Sequence, residues 1–443
     1  MTKNSNAWPF RLALGSISLA VFSFFAILYL IGADPTYDSL LSAWGVNIKF
    51  QPPAPYRPFI DIQEYLAALD CQRLGWDVFV SDPCDALGRL HTYPVWLTPH
   101  LIRLATSDTV WLGVALGVAF LLSVVLIANP RTARQSGIFL IAILSPASAY
   151  AIERANMDLL VFVSLILAAF LFSRSGLARV TAYALMFLMA TLKFYPIAAM
   201  GLALQEKRSR FILVAVITSI AWGAFLYSVR HEFGEMLANL PDLPPLGSVF
   251  GGFDVFAVLQ EWLHRHFPQS VGRLDVMLHW IYLTAALVAM TASAFLSQGL
   301  SRMGIVVVGA GRNPTLFLAG AFILVGCFFV GYNILYREVF LLMLLPYAFD
   351  SWSEGSRSAF SRCFWASTIT LILVLLWFEC LRLNLAVRFG TRAGPAPNLT
   401  FFVREPLWWI FIIGLASLLF TWVKPRILSY LFASPVGLSL EYP

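Results

Sequence analysis

Three short stretches of this 443-residue chain place ionisable side chains against apolar sequence. The first is "DIQEYLAALDCQRLGWDVF", which begins at Asp61. The second is "AYAIERANMDLLVFV", where Glu153, Arg154, Asn156 and Asp158 crowd a turn between two apolar runs. The third is a pair of isolated cations, Lys193 in "ATLKFYPIAAM" and Arg337 in "GYNILYREVFLLMLLP". A charge beside hydrocarbon is costly, so each needs a partner or a task. A carboxylate can act as a general base. Arg grips a phosphate through its bidentate fork and Lys as a point charge. Together they fit transfer of a sugar from a lipid phosphate, because the phosphate leaves as an anion and needs no acid. What remains is a base for the acceptor hydroxyl, the role assigned to Asp61, and cations for the departing charge. This chemistry requires no covalent nucleophile, metal or cofactor. The sequence shows no clustered metal-ligand, Ser-His-Asp or P-loop signature.

Plainer roles stay open for the same residues. Asp61 suits the first turn of a helix, where the dipole favours a negative charge, and would then serve only there. Asp34, just after the first apolar run, competes for the role of base. Asn156 and Asp158 suit the cap and first turn of the following helix. That leaves Glu153 beside Arg154 without an account, so a substrate-facing role is expected within this group. Lys193 and Arg337 could instead snorkel to headgroups. Asp70, Asp77, Asp82 and Asp85 read as solvated or turn-forming acids. Cys71 and Cys84 bond if their loop faces an oxidising compartment and otherwise stay free thiols. The triplet at Asn398 is a weak glycosylation sequon.

The elements that must position these residues are membrane helices. The chain is 59% hydrophobic and 12% charged, with mean hydropathy +0.76. A soluble domain carries about a quarter charged residues, so that class is excluded. The expected fold is all-α, a polytopic transmembrane bundle forming one domain over residues 1–443. Its net charge of +6 fits basic loops against an anionic leaflet and does not argue for nucleic acid. Eleven apolar stretches reach spanning or near-spanning length, centred on 11–33, 108–129, 137–151, 157–173, 180–204, 211–228, 276–297, 314–333, 335–349, 364–385 and 405–423. The first is read as an uncleaved helix. Two long polar connections, 34–107 and 229–275, separate some of them.

Lys and Arg set the expected orientation. "NPRTARQS", "SRSGLAR", "QEKRSR", "SEGSRSAFSR" and "VKPR" read as cytoplasmic. That places 34–107, 229–275, "ERANM", "YNILYRE" and 386–404 outside. The stretch around 180–204 is basic at both ends, so it is expected to rise to "KFYP" and return as a short or re-entrant piece, near twelve helices in all. Such backbone is tolerated only where protein buries it or it lines a cavity. On this reading the 61–73 segment is an amphipathic helix at the membrane interface.

Four stretches, "DIQEYLAALDCQRLGWDVF", "HTYPVWLTPHL", "ERANMDLLVFVSLILAAF" and "LKFYPIAAM", in this order over residues 55–200, resemble the membrane-embedded C-type glycosyltransferases that use polyprenyl-phosphate sugars. Within these the chain looks most like glycosyltransferase family 87, bacterial mannosyltransferases dependent on polyprenyl-phosphate mannose. The resemblance implies a C-type fold with interfacial helices in the first outer loop. It implies inverting transfer of a mannose-like sugar from its polyprenyl phosphate to an envelope lipid or glycan. The site would lie at the periplasmic face of the inner membrane, with the N-terminus cytoplasmic. Partners would be the donor, the acceptor and membrane lipids. Asp61 takes the position of the base, and Lys193, Tyr195 and Pro196 match a Lys-x-Tyr-Pro element. Lys193, Tyr195 and Arg337 would contact the donor phosphate. Tyr65, Tyr93, Glu153, Arg154 and Asn156 would line the site. The competing functions are a transporter or flippase of a lipid-linked sugar, which needs no base, and a polymerase or ligase of surface polysaccharide.

Overall fold

The computed structural model describes residues 8–30, 34–46, 58–94, 103–174, 176–239, 249–267, 271–309, 311–330, 333–354, 358–388 and 399–432. The Asn398 sequon lies outside them. In chain order the helices are α1 (Trp8–Leu30), α2 (Asp34–Trp44), α3 (Ile60–Arg73), α4 (Thr109–Ile127), α5 (Ala133–Ile143), α6 (Pro146–Arg154), α7 (Asp158–Phe172) and α8 (Leu177–Lys193). They continue as α9 (Arg208–Ser228), α10 (Arg230–Ala238), α11 (Asp254–His266), α12 (Val271–Arg302), α13 (Arg312–Val330), α14 (Leu345–Ser353), α15 (Ala359–Arg388) and α16 (Leu399–Phe432). One antiparallel pair joins Val249–Phe250 to Asn333–Ile334. The protein is an all-α, multi-pass membrane bundle.

Among the described residues seven helices are long and apolar enough to cross a membrane, or eight if the bent pair α5 and α6 counts as one span. The sequence led to eleven or twelve. The difference has a common cause. The stretches 137–151, 180–204 and 335–349 each break at a proline, namely Pro146, Pro196 and Pro346, which opens the second piece. Proline lacks an amide hydrogen and suits a helix start but not its interior. After the second and before the third break the chain runs as 3-10 helix, Tyr195–Gln205 and Leu335–Met343. The fourth stretch, α7, spans only 15 residues. These short pieces lie inside the bundle: Leu335–Met343 packs on α6 and α13, and all but Arg337 in it are buried. Irregular backbone is thus placed where protein covers it. The expected break at "KFYP" falls at Phe194, whose φ is 57°.

α7 separates two kinds of surface. At its C-terminal end Arg179 pairs with Glu206, and the Tyr430 hydroxyl donates to the Glu206 carbonyl. Nearby Arg312 lies over Phe170, and Arg131 pairs with Asp350. The basic loops therefore gather at one end. Asp158 starts α7 at the other end, about 20 Å away for 15 residues at about 1.5 Å each.

The helix that carries Asp61 is largely enclosed by protein. Nine of the fourteen residues of α3 are buried, including Asp61 and Gln63 as well as Ile62, Leu66 and Leu69. Its apolar side chains form no single stripe, so the expected amphipathic helix is not what forms. Phe59 fixes its start. Its φ is 78°, its amide donates to the Glu153 carbonyl at 2.7 Å, and its ring occupies the place that a Cβ on Gly113 would take, 2.3 Å from Phe59 Cγ. A left-handed aromatic residue persists only where its surroundings over-determine it. At the far end Cys71 and Cys84, left open between bonded and free thiols, form a disulfide. Gly113→Ala is expected to displace Phe59 and cost about 1–3 kcal/mol, the usual range for overpacking. Thermal unfolding in lipid reads this as a lower melting temperature, partly recovered by adding Phe59→Leu. An unchanged melting temperature would mean that the Phe59 ring does not set the position of α3.

Candidate active site

A continuous polar network runs from the 78–91 loop through α3 to the turn between α6 and α7 and on to residues 193–195 and 337. Asp61 stands near its centre. Arg154 at the end of α6 donates to Asp61 Oδ1 from Nε at 2.9 Å and from Nη2 at 2.5 Å. Asn156 Nδ2 donates to Oδ2 at 2.6 Å. The other end of the Asn156 amide, Oδ1, accepts from Lys193 Nζ at 2.8 Å and from the Asp158 amide at 2.9 Å. Asn156 is thus both the expected helix cap and a bridge. Asp158 Oδ1 accepts from Lys193 Nζ and from the Tyr195 hydroxyl, each at 2.8 Å. Arg337 Nε lies 3.4 Å from Asp158 Oδ2.

On the other side of Asp61, Arg89 takes Asp85 in a fork. Nε is 3.1 Å from Oδ2 and Nη2 is 2.8 Å from Oδ1. Nη2 also donates to the Ile60 carbonyl at 2.9 Å. Arg89 Nη1 lies 3.2 Å from Glu64 Oε2 and 3.7 Å from Asp61 Oδ1. Four cations, Arg89, Arg154, Lys193 and Arg337, thereby meet four carboxylates, Asp61, Glu64, Asp85 and Asp158. Aromatic rings wall the network. Tyr65 and Tyr93 stack with centroids 5.3 Å apart, and Lys193 Nζ sits 4.9 Å above Tyr93 and 5.5 Å from the Tyr336 ring centre.

Three described non-glycine residues have positive φ: Phe59, Ala155 and Phe194. Each stands beside a member of this network. Phe59 precedes Asp61 by two residues, Ala155 separates Arg154 from Asn156, and Phe194 separates Lys193 from Tyr195. Strained backbone of this kind concentrates at functional sites. At Ala155 the left-handed turn lets two consecutive polar residues on either side of it reach the same carboxylate.

Burial acts differently on the carboxylates of α3. It would raise Asp61, but the charges and hydrogen bonds of Arg154, the charge of Arg89 and the Asn156 bond outweigh it and hold this carboxyl below the usual range. At Glu64 burial prevails, aided by Asp61 and Asp85 against the pull of Arg89 and Arg154, and the carboxyl is pushed up to about 7. His91 is fully buried, and burial together with Arg89 brings its imidazole down to about 3, so it is neutral at physiological pH.

The structure redistributes the expected roles. Lys193 is enclosed with Asp158, both side chains having no exposure, and Tyr195 has its hydroxyl on the same carboxylate. In this arrangement the charge of Lys193 and the Tyr195 hydroxyl are both engaged by Asp158. Arg337 differs. Its side chain is 15% exposed, its guanidinium rests 4.5 Å above the Tyr195 ring, and among the described residues it makes no hydrogen bond. The next residue, Glu338, accepts from Arg404 Nη2 at 2.8 Å in full burial and ties this segment to α16. Glu153 is buried, and its carbonyl, as above, holds Phe59. The Tyr65 hydroxyl is buried with no hydrogen bond among the described residues. Asp34 begins α2, which packs on α1 and α15; its side chain lies outside the described residues.

Sequence reading missed Glu64, Arg89, His91 and Tyr336, and passed over Asp158 as a first-turn acid. Glu64 was detectable: it follows Asp61 by three positions and so shares its helix face. Arg89 and His91 sit in a loop with no periodicity to place them. Asp77, Asp82 and Asp85 do form turns, each accepting from the amide two residues on, but Asp82 and Asp85 are buried and not solvated. Compared with known protein families, characterised proteins and solved structures, the chain shows no match in any of the three.

Asp158→Asn is expected to leave Lys193 enclosed without a counter-charge and to cost on the order of 3–5 kcal/mol. Lys193→Met in the same chain should recover most of that loss. A double-mutant cycle on melting temperature checks the coupling, and additive effects would show that the pair is not the support described here.

Proposed function

We propose that this protein transfers a sugar from a polyprenyl-phosphate donor to a lipid or glycan acceptor, with inversion, at the membrane face opposite its basic loops. The observation that carries this reading is Arg337. It is a partly exposed guanidinium that makes no hydrogen bond among the described residues, held over Tyr195 and beside Asp158 in a network that also contains the α3 carboxylates. A donor phosphate would take its Nη groups in a charge-assisted, two-point contact. The acceptor hydroxyl would lie toward α3, where a carboxylate accepts its proton. The sugar C1 would sit between them, so that attack and departure come from opposite sides.

Each group then has one task. Arg337 balances the charge that grows on the leaving phosphate. Lys193, Tyr195 and Asp158 keep Arg337 in place. Tyr65 and Tyr93 offer flat faces of the kind that sugars and isoprenoid chains stack against. The resemblance to family 87 favours mannose as the sugar. The arrangement of basic loops favours the periplasmic face of a bacterial inner membrane.

The experiment supplies labelled polyprenyl-phosphate mannose and a membrane lipid extract to protein in lipid nanodiscs. Wild-type protein should move label into a new lipid or glycan product. Arg337→Ala should bind donor about ten- to a hundredfold more weakly, for a charged hydrogen bond worth roughly 1.5–3 kcal/mol. Equal donor affinity in the two proteins would remove the phosphate assignment. Passage of intact donor across the bilayer, with no new glycoside, would favour a transporter.

A further inference from the structure

We infer that Glu64, and not Asp61, takes the proton from the acceptor hydroxyl, while Asp61 is a fixed anchor that positions Arg154 and Asn156. This rests on the glycosyl-transfer reading above.

A base must offer an accessible lone pair. Asp61 accepts two bonds from Arg154 on Oδ1 and one from Asn156 on Oδ2. Protonating it would weaken the ion pair with Arg154 and the bond from Asn156. Asp85 and Asp158 have no side-chain exposure, and both are paired. Glu64 stands apart. It accepts no hydrogen bond among the described residues, its side chain is 12% exposed, and its nearest cation is Arg89 Nη1 at 3.2 Å from Oε2. Its Oε1 lies 3.8 Å from His91 Nδ1.

The surroundings suit proton uptake near neutrality. Arg89, Asp85 and His91 face Glu64 from the loop, Arg154 from α6, and Asp61 and Tyr65 from α3. His91 is held neutral, and Tyr65, pushed well above its usual range by burial, is neutral too. The carboxyl that results is poised where a general base works best. Asp61, held ionised, cannot be protonated at such pH and serves as the fixed counter-charge.

In the transfer step the acceptor O–H bond breaks and its proton passes to a Glu64 carboxylate oxygen. The acceptor oxygen bonds to the sugar C1 as the bond from C1 to the phosphate oxygen breaks. That electron pair leaves with the polyprenyl phosphate, whose added negative charge meets Arg337. Glu64 then releases its proton to water.

The test compares wild type, Glu64→Gln and Asp61→Asn in lipid nanodiscs, with polyprenyl-phosphate mannose as the probe. Glu64→Gln should bind donor within about threefold of wild type and lose transfer by about a hundredfold or more. Wild-type transfer should rise with pH along a limb near 7. Transfer by Glu64→Gln within about threefold of wild type would overturn the assignment.

Melting temperatures give a readout that needs no substrate. Glu64 titrates higher in the folded protein, about 7, than the ordinary 4.5. The folded state therefore binds more protons in this window, and the stability this contributes is present below about 4.5 and lost as pH rises through about 7. From pH 5 to pH 8 wild type should lose melting temperature relative to Glu64→Gln. A gap that stays flat would overturn the assignment even if wild type transfers no sugar. Absence of transfer with a shifting gap would instead sink the glycosyl-transfer reading and leave Glu64 as the neutral-pH proton site.

Discussion

The side-chain amide of Asn156 has a donor end and an acceptor end, and the protein uses both. Nδ2 holds Asp61 on α3, and Oδ1 holds Lys193 at the end of α8. Those helices are far apart in sequence and approach from different directions. Without this bridge Asp61 would keep Arg154 and Lys193 would keep Asp158, but each would lose a buried hydrogen bond and the two ion pairs would no longer be linked. The left-handed Ala155 makes the bridge possible, since it turns the chain so that the residues on either side of it, Arg154 and Asn156, meet one carboxylate. A hydrogen-bond chain of this kind sets geometry more than it adds stability, because each member restricts its neighbours.

The surrounding fold can be understood as what such a network demands. Charges inside a membrane protein must be enclosed by protein or face a water-filled cavity. The short helices α6 and α7 and the 3-10 segments at 195–205 and 335–343 supply that enclosure. Proline breaks allow the chain to stop at membrane depth and present Lys193, Tyr195 and Arg337 from helix ends. A continuous helix would carry such side chains on one side, at spacings set by its turn. Helix ends let residues from several elements converge on one point. Some of the long apolar helices turn most of their side chains away from the protein: α9, for example, has one buried residue, Phe225.

Inside the network the four carboxylates are not equivalent. Asp61 and Asp158 are paired anchors, Asp85 locks Arg89, and Glu64 accepts no hydrogen bond among the described residues and has a raised pKa. The difference comes from hydrogen bonding: a carboxylate saturated by cations is a poor proton acceptor, while one left with burial and like charges around it is a good one. A similar division appears among the cations, where Lys193 is sealed and Arg337 is partly exposed. One acid and one cation thus combine close support with side chains that are partly exposed.

Composition and apolar run length alone determined that this is an all-α protein that crosses a membrane repeatedly, because water would not tolerate so little charge. Motif reading also placed Asp61, Arg154, Asn156, Lys193, Tyr195 and Arg337 in one group, since charges beside apolar sequence stand out. It overcounted the spans, because a hydropathy window does not register that Pro146, Pro196 and Pro346 divide a helix. It could not assign roles within the group. Which side chain is enclosed and which is reachable depends on the neighbours brought in by α3, the 78–91 loop and residues 335–343, and these lie up to about 280 residues apart in the chain. Tertiary structure decided that Lys193 is sealed and Arg337 partly exposed, that Asp158 is a hub, and that Glu64 joins the polar network. The reason is that ionisation and accessibility are set by packing across elements, and local sequence does not encode that packing.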